Sequence, residues 1–553
     1  MMRISKNFSA YFCILFLFVV EAIADQEVRN IPIILDSKPL RIEFVGRVSP
    51  GIPSDQFAVT VGGMVNSSLG NDSLDSNTRF IDFIDVALSS PAYYLWNSFL
   101  EMENILTLYN KDSDPIGGDI TLFAPGGNQI GSLPFFLFGD GQFDFPLSFI
   151  PGYQKPAFGV AQINVSQESF DGSAVRYRFD PTNSPRLEFM TGMELRNPIS
   201  GTSYVFFNTM QPSRRPNQLS NEVSNWLSIA NVDNKVSRVF DVIFYNLLGQ
   251  VIRTQAITVP NMGRVDIEAG HVNPGPRNLG MIEIIPRDFF TNYLATMSRY
   301  GASAAVSSLA KFFPFATSLP SRNSDFFTQV LPVTSESNAE TWVVVGNASN
   351  SVLQAELNFF SSSGVLTGTR TELIPAKAQR HILANLFIPT GTSGSVAIEA
   401  ISGFGLVAEK TTYYFNPTRM ETTAAASAMS ASPNGSLLFG SYNRFLGMGN
   451  IVKIQNFGES ATTGTLEVIE NSASLGTTGF NTPLDGLSQI GIESLGSPPA
   501  INTFGPLRLN SGSSFSAVGH VLRLQPSLER IDVIDAATML PMQKTSSFSQ
   551  STQ

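Results

Sequence analysis

One pattern recurs four times in this chain and constrains its fold more than any other feature. The segments N-I-L-T-L-Y-N at 104–110, N-W-L-S-I-A-N at 225–231, T-W-V-V-V-G-N at 341–347 and N-I-V-K-I-Q-N at 450–456 superimpose without a gap. Apolar side chains alternate in each (Leu106/Leu108, Leu227/Ile229, Val343/Val345, Val452/Ile454), the period of a strand with one face on a core. The closing residues Asn110, Asn231, Asn347 and Asn456 lie 121, 116 and 109 residues apart. That period is the size of a sandwich domain and too long for a propeller blade or solenoid rung. A second landmark keeps step: Ala174, Ala295, Ala408 and Ala517 follow the asparagines by 64, 64, 61 and 61 residues, with Phe179, Tyr300, Tyr413 or Leu522 five further on.

Between the landmarks the second and third copies match closely. Gly249 and Gly364 follow their asparagines by 18 and 17 residues, and each precedes a proline, Pro260 or Pro375, by 11. This reads as strand, turn, strand, glycine hairpin, strand and proline-ended loop, the cadence of an antiparallel sandwich. The expected organisation is a β-rich segment at 25–91, four repeats at 92–182, 183–303, 304–418 and 419–527, and a polar tail at 528–553. The β-like runs YVFFN and SLLFGSY place the connectors inside folded units.

The strand ending in Asn, its glycine hairpin, and G-S-V-A-I-E at 394–399 followed by V-A-E-K-T-T-Y-Y at 407–414 resemble the Ig/fibronectin-like repeats of bacterial secreted and cell-surface proteins. The resemblance covers most of 92–527 and implies an all-β chain of about four tandem antiparallel Ig-like β-sandwiches in an extracytoplasmic place. It implies no catalytic residues.

The N-terminus carries Arg3 and Lys6, an apolar run at 11–20 and Ala22-Ile23-Ala24, the pattern of a secretory signal peptide occupying 1–24 and cleaved after Ala24. Cys13, the one cysteine, lies in that run, so the expected mature chain has no disulfide, thiolate zinc site or cysteine nucleophile. Net charge is −10 with no basic run, which argues against nucleic acid as a partner. No later stretch offers the 18 or so apolar residues of a membrane helix. The 115-residue repeat and long connectors do not fit the short regular hairpins of an outer-membrane barrel.

Candidate chemistry is sparse. His271, His381 and His520 occupy unrelated places in their copies, and the reading for each is a solvated or locally bonded histidine, with no constellation around it. Glu283, Glu399 and Glu493 hold similar places in three copies, with Asn164 in the first, as outward strand residues would and a catalyst needed once would not. Trp226 and Trp342 stand where Ile105 and Ile451 stand, so packing is favoured over sugar stacking. Asn110, Asp112 and Asp114 have the alternating oxygens of a calcium loop but lack its glycine and bidentate glutamate, and an Asx-type turn is the preferred reading. Asn231 and Asn347 are expected to bond the backbone of the turn that follows them.

No catalytic, cofactor or metal residues are therefore assigned. Only 14% of residues are charged, against about 25% ordinarily, which leaves neutral surface for protein contacts. The resulting expectation is a non-enzymatic structural or adhesive protein, an array binding protein or glycan at a cell surface or matrix. The alternative is a carbohydrate-binding or enzyme-accessory extracellular protein, which one aromatic-lined surface unmatched in the other copies would favour.

Overall fold

The structure is a computed structural model describing residues 31–35, 38–42, 91–165, 170–180, 186–212, 223–272, 278–288, 290–301, 313–324, 328–418, 421–430, 437–458, 460–511, 517–527 and 533–544. The chain divides into residues 1–82 and 83–553. In the first unit an antiparallel hairpin of β1 (Ile31–Leu35) and β2 (Lys38–Ile42) is described. The signal peptide expected at 1–24 lies outside the described residues.

The second unit holds four sandwiches of eight strands each. The first comprises β3 (Ala92–Asn97), β4 (Glu103–Asn110), β5 (Ile116–Phe123), β6 (Gln129–Leu137), β7 (Gln142–Pro146), β8 (Phe158–Val165), β9 (Phe170–Phe179) and β10 (Leu187–Glu194). The second comprises β11 (Ser203–Asn208), β12 (Val223–Asn231), β13 (Arg238–Asn246), β14 (Val251–Val259), β15 (Arg264–Glu268), β16 (Leu279–Pro286), β17 (Tyr293–Gly301) and β18 (Phe315–Pro320). The third has β19 (Gln329–Thr334), β20 (Ala339–Asn347), β21 (Leu353–Ser361), β22 (Leu366–Ile374), β23 (Gln379–Leu383), β24 (Ser393–Ser402), β25 (Leu406–Phe415) and β26 (Thr422–Met429). The fourth has β27 (Leu437–Asn443), β28 (Gly449–Asn456), β29 (Thr462–Glu470), β30 (Ala473–Thr482), β31 (Leu487–Gly491), β32 (Phe504–Ser511), β33 (Ala517–Pro526) and β34 (Ile534–Pro541), with the two-residue β35 (Gln543–Lys544) added beside β27.

All four repeat one antiparallel plan, with the first, sixth, third and fourth strands in one sheet and the fifth, second, seventh and eighth in the other. The repeated heptapeptide is the second strand, and its alternate apolar residues enter four separate cores. The second to sixth strands follow the immunoglobulin B-C-C′-E-F order, while the first strand pairs with the sixth and the seventh with the second, the reverse of that fold's terminal placements. Among the described residues no helix is long and apolar enough to cross a membrane.

Two expectations of register are corrected. The repeat boundaries at 182, 303, 418 and 527 fall one strand short, because β10, β18, β26 and β34 pair with the seventh strand before them. These eighth strands are buried on both faces and so lack the alternation that marks a half-exposed strand. The alanine landmark is in register only in the second and third copies: opposite Ile229 and Val345 stand Ala295 and Ala408. The counterparts in the first and fourth copies are Gly172 and Gly519, opposite Leu108 and Ile454.

The sandwiches form a closed ring and not a row. Each eighth strand packs between its two counterparts, β10 on β18, β18 on β26, β26 on β34 and β34 back on β10. Small residues let these strands approach: Ala424, Ala426 and Ala428 of β26 pack with Ala537 and Met539 of β34, and Ala536 and Leu540 of β34 pack on Val175 and Tyr177 of β9. Away from this hub, the outer face of the first and sixth strands of one sandwich covers the second and seventh strands of the next. Tyr93, Leu95 and Val160 meet Ala230 and Leu294, Tyr204 and Met281 meet Val344 and Val407, and Val330 and Ala397 meet Val518. Such head-to-tail contacts make a ring when the rotation per copy closes.

A turn between the fourth and fifth strands docks each copy on its predecessor, through a residue held at φ 50° to 58° in every copy: Asp140, Met262, Lys377 and Asp485. The four docking chemistries differ. Met262 packs among Tyr93, Leu95 and Val160. Lys377 donates to Glu283 at 2.7 Å. The Asp485 carbonyl accepts from Ser395 Oγ at 2.6 Å, and Asp140 pairs with Arg508.

Candidate contact face and the chemistry of the seams

The closing asparagines are buried architectural groups. Asn231 Nδ2 donates to the carbonyls of Val236 at 2.8 Å and Pro260 at 3.2 Å, while its Oδ1 accepts the Asp233 N–H at 3.0 Å. Asn347 and Asn456 repeat this with Ser351, Pro375 and Ser349, and with Ser460, Pro483 and Gly458. One amide thus ties the turn after the second strand to the turn after the fourth. Asn110 makes the same clip, to the carbonyls of Asp114 at 2.6 Å and Phe138 at 3.1 Å, and takes the Asp112 N–H on its Oδ1. Asn110, Asp112 and Asp114 are together in this turn, with Asp112 and Asp114 exposed. Among the described residues no group of three or more acidic, histidine or cysteine side chains could hold a metal ion.

The other singled-out residues separate. Trp96 is core, and Trp342 packs against the second sandwich with Val223 and Phe315. Trp226 is instead 40% exposed, its ring 5.4 Å from His271. His271 accepts the Asn225 N–H at 3.1 Å, and His381 lies 3.0 Å from the Gln379 amide. His520 departs from the expectation of a solvated or locally bonded ring: it is buried, and neither ring nitrogen has a hydrogen-bond partner. Burial pushes His381 down to about 3, with the Arg299 charge adding to it. Glu283, expected outward, points out of its own sandwich but is buried against the third by Lys377, Tyr204 and Tyr245. Glu399 is opposite Glu356 on an exposed stretch, and Glu493 lies in a 3-10 turn and accepts the Asn450 N–H, so the three are not equivalent.

Sequence reasoning missed a column of buried cations. Arg176, Arg299 and Arg523 stand opposite Asn104, Asn225 and Asn450, and the third copy has Thr412 opposite Thr341. The four residues that open the repeated heptapeptide thus covary with their partners. The misplaced alanine register hid the column.

Two acids of the first sandwich are shifted by burial. Burial raises Asp171 to about 7 against the opposing charge of Lys111, 3.8 Å away. It also raises Asp144, whose Oδ2 accepts from Asn443 of the fourth sandwich at 2.8 Å.

The exposed aromatic surface concentrates on the first sandwich. At the open edge formed by β6 and β7, Phe136 (57% exposed), Phe138 (69%), Phe143 and Phe149 face solvent. Phe136 and Phe138 meet edge-on at 5.3 Å, and Phe143 lies 4.1 Å from the core ring of Phe145. The corresponding strands β14, β15, β22, β23 and β31 contain no aromatic residue, and β30 has only the core Phe480. A signal was present, since six phenylalanines fall within 135–149. Alternation alone does not say which edge stays uncovered.

No protein-family model and no curated protein matches the chain. Two solved structures align at 7% identity. One is two B repeat units of the collagen binding protein of Staphylococcus aureus, covering 80% of this chain and 99% of that one with a TM-score of 0.10. The other is a glycosyl hydrolase family 2 member from Bacteroides cellulosilyticus, covering 84% and 94% with a TM-score of 0.12. At such scores neither similarity bears on what this chain does.

Proposed function

We propose that this is a non-enzymatic, extracytoplasmic binding protein in which the closed ring is the scaffold and the phenylalanine edge of the first sandwich is the contact face for a partner protein. The observation that carries this is the confinement of exposed aromatics to one of four otherwise matching edges. Exposed apolar clusters of this kind mark contact sites, and phenylalanine has no polar handle of the sort that tyrosine and tryptophan offer a sugar. In a closed ring the repeats do not extend end to end, so a single face supports the binding reading better than four repeated ones. Trp226, exposed beside His271, favours glycan binding as the second reading.

The test compares the wild type with Phe136→Ser/Phe138→Ser and Trp226→Ala in binding to cells and matrix-coated surfaces, beside a panel of glycosidase, peptidase and esterase substrates. The double variant is expected to lose at least tenfold in binding at unchanged melting temperature. Loss in Trp226→Ala alone supports the glycan reading, and turnover abolished by one carboxylate substitution overturns both.

A further inference from the structure

The quasi-symmetry of the ring allows one place to be compared across seams. At the hub end of the first sandwich, Arg176 bonds Tyr94 Oη at 2.9 Å and reaches Ser298 Oγ of the second at 3.3 Å. In the second, Arg299 reaches Glu409 Oε1 of the third at 2.7 Å. In the fourth, Arg523 bonds Ser441 Oγ at 2.7 Å and interacts with Asp144 of the first. Each arginine therefore has an oxygen acceptor, and two of the three face a carboxylate across the seam.

The third seam breaks the rule. Thr412 holds the arginine's register, and the cation comes from Lys410, two residues earlier on the same strand face, with Nζ 3.2 Å from Thr412 Oγ1. Facing it from the fourth sandwich are Lys453 on β28 and its cross-strand partner His520 on β33. His520 occupies the register that Glu409 occupies one seam earlier, since Glu409 is paired with Val344 and His520 with Lys453, each three residues before the closing asparagine. Where the second seam supplies a carboxylate, the third supplies an imidazole with both nitrogens unpartnered. Beside it Gln455 is wholly buried with both amide atoms unpartnered. Lys410 and Lys453 are also buried, and the Glu336 carboxylate acts on Lys453.

We propose that a small inorganic anion of halide size binds in this seam between the third and fourth sandwiches, held by Lys410, Lys453 and His520 with the Gln455 amide. The anion takes the place of the missing carboxylate and accepts from one N–H of the imidazole and from the Gln455 Nε2 amide group. Burial pushes His520 down to about 3, with the charges of Lys410 and Lys453 adding to it; burial pushes Lys453 down to about 8 against the opposing effect of Glu336, and holds Lys410 well below the ordinary lysine range, with the Lys453 charge adding to it. Anion binding restores protons to these groups and ties the two sandwiches together.

The probe is bromide. Crystals of the full exported chain grown in sodium bromide are expected to show an anomalous peak at the bromine edge within hydrogen-bond distance of Lys453 Nζ and His520. In solution, bromide should raise the melting temperature by several degrees over gluconate at equal ionic strength, saturably. Lys453→Met should abolish that rise, and Lys235→Met, at the surface, should keep it. A seam holding water without anomalous signal, or an equal rise in the wild type and Lys453→Met, overturns the proposal. If Lys453→Met fails to fold, the anomalous map of the wild type still decides.

Discussion

A buried asparagine is expensive to place and expensive to remove. Asn231 is wholly buried, and its amide supplies the donor for carbonyls in two separate turns. Replacing it with alanine leaves those acceptors without a partner away from water, a loss of about 1–3 kcal/mol by the usual cost of orphaned polar groups. Asn231→Ala is expected to lower unfolding free energy by about 2 kcal/mol in chemical denaturation with binding unaffected. Loss of binding at unchanged stability would make the position a site instead. This role was legible in the sequence because the asparagine recurs at the end of a recognisable strand. The arginines opposite Asn104, Asn225 and Asn450 were not, because a charged side chain reads as exposed unless the strand beside it is known.

At the scale of the element, the hairpin between the third and fourth strands shows why glycine is needed at Gly364. Its φ is +79°, and a Cβ there would stand 2.0 Å from the Leu484 carbonyl oxygen in the fourth sandwich. Gly249 meets Ala376 of the third sandwich in the same way. These glycines are thus interface residues as well as turn residues, and the proline-ended loop that follows each in the sequence is what the preceding hairpin docks against. Gly391, at φ +80°, has open space where its Cβ would go. Gly391→Ala is expected to cost only the left-handed backbone strain, about 1–2 kcal/mol. Gly364→Ala should cost clearly more, because the seam must part to admit the methyl group. Equal losses in thermal denaturation of the two variants would show that the hairpin carries no docking role. The hairpin itself was legible from periodicity and glycine. Its partner was not, since the contact joins residues 120 apart.

For the whole molecule, four sandwiches were legible and their closure was not. Nothing in a repeat's own pattern states the rotation to its neighbour, and an open row and a ring use the same strands. What decides is the eighth strand, which carries glycine, alanine, serine and threonine at the hub and therefore reads as a connector. In a ring the first and fourth copies must touch, and there the Gly192 N–H donates to Thr538 Oγ1 at 2.8 Å across 346 residues. A Cβ on Gly192 would lie 3.1 Å from that oxygen, with the flexible Leu540 side chain as its nearest neighbour, close to the spacing of a disulfide. Cys13 falls in the expected signal peptide, so an exported Gly192→Cys/Thr538→Cys chain would carry two thiols. In a ring these are expected to join within one chain, giving a monomer that migrates faster on non-reducing gels and melts at a higher temperature than its reduced form. In an open row the two cysteines belong to copies at opposite ends, and oxidation would yield free thiols or linked dimers. Recovery of only those species would refute the closed hub.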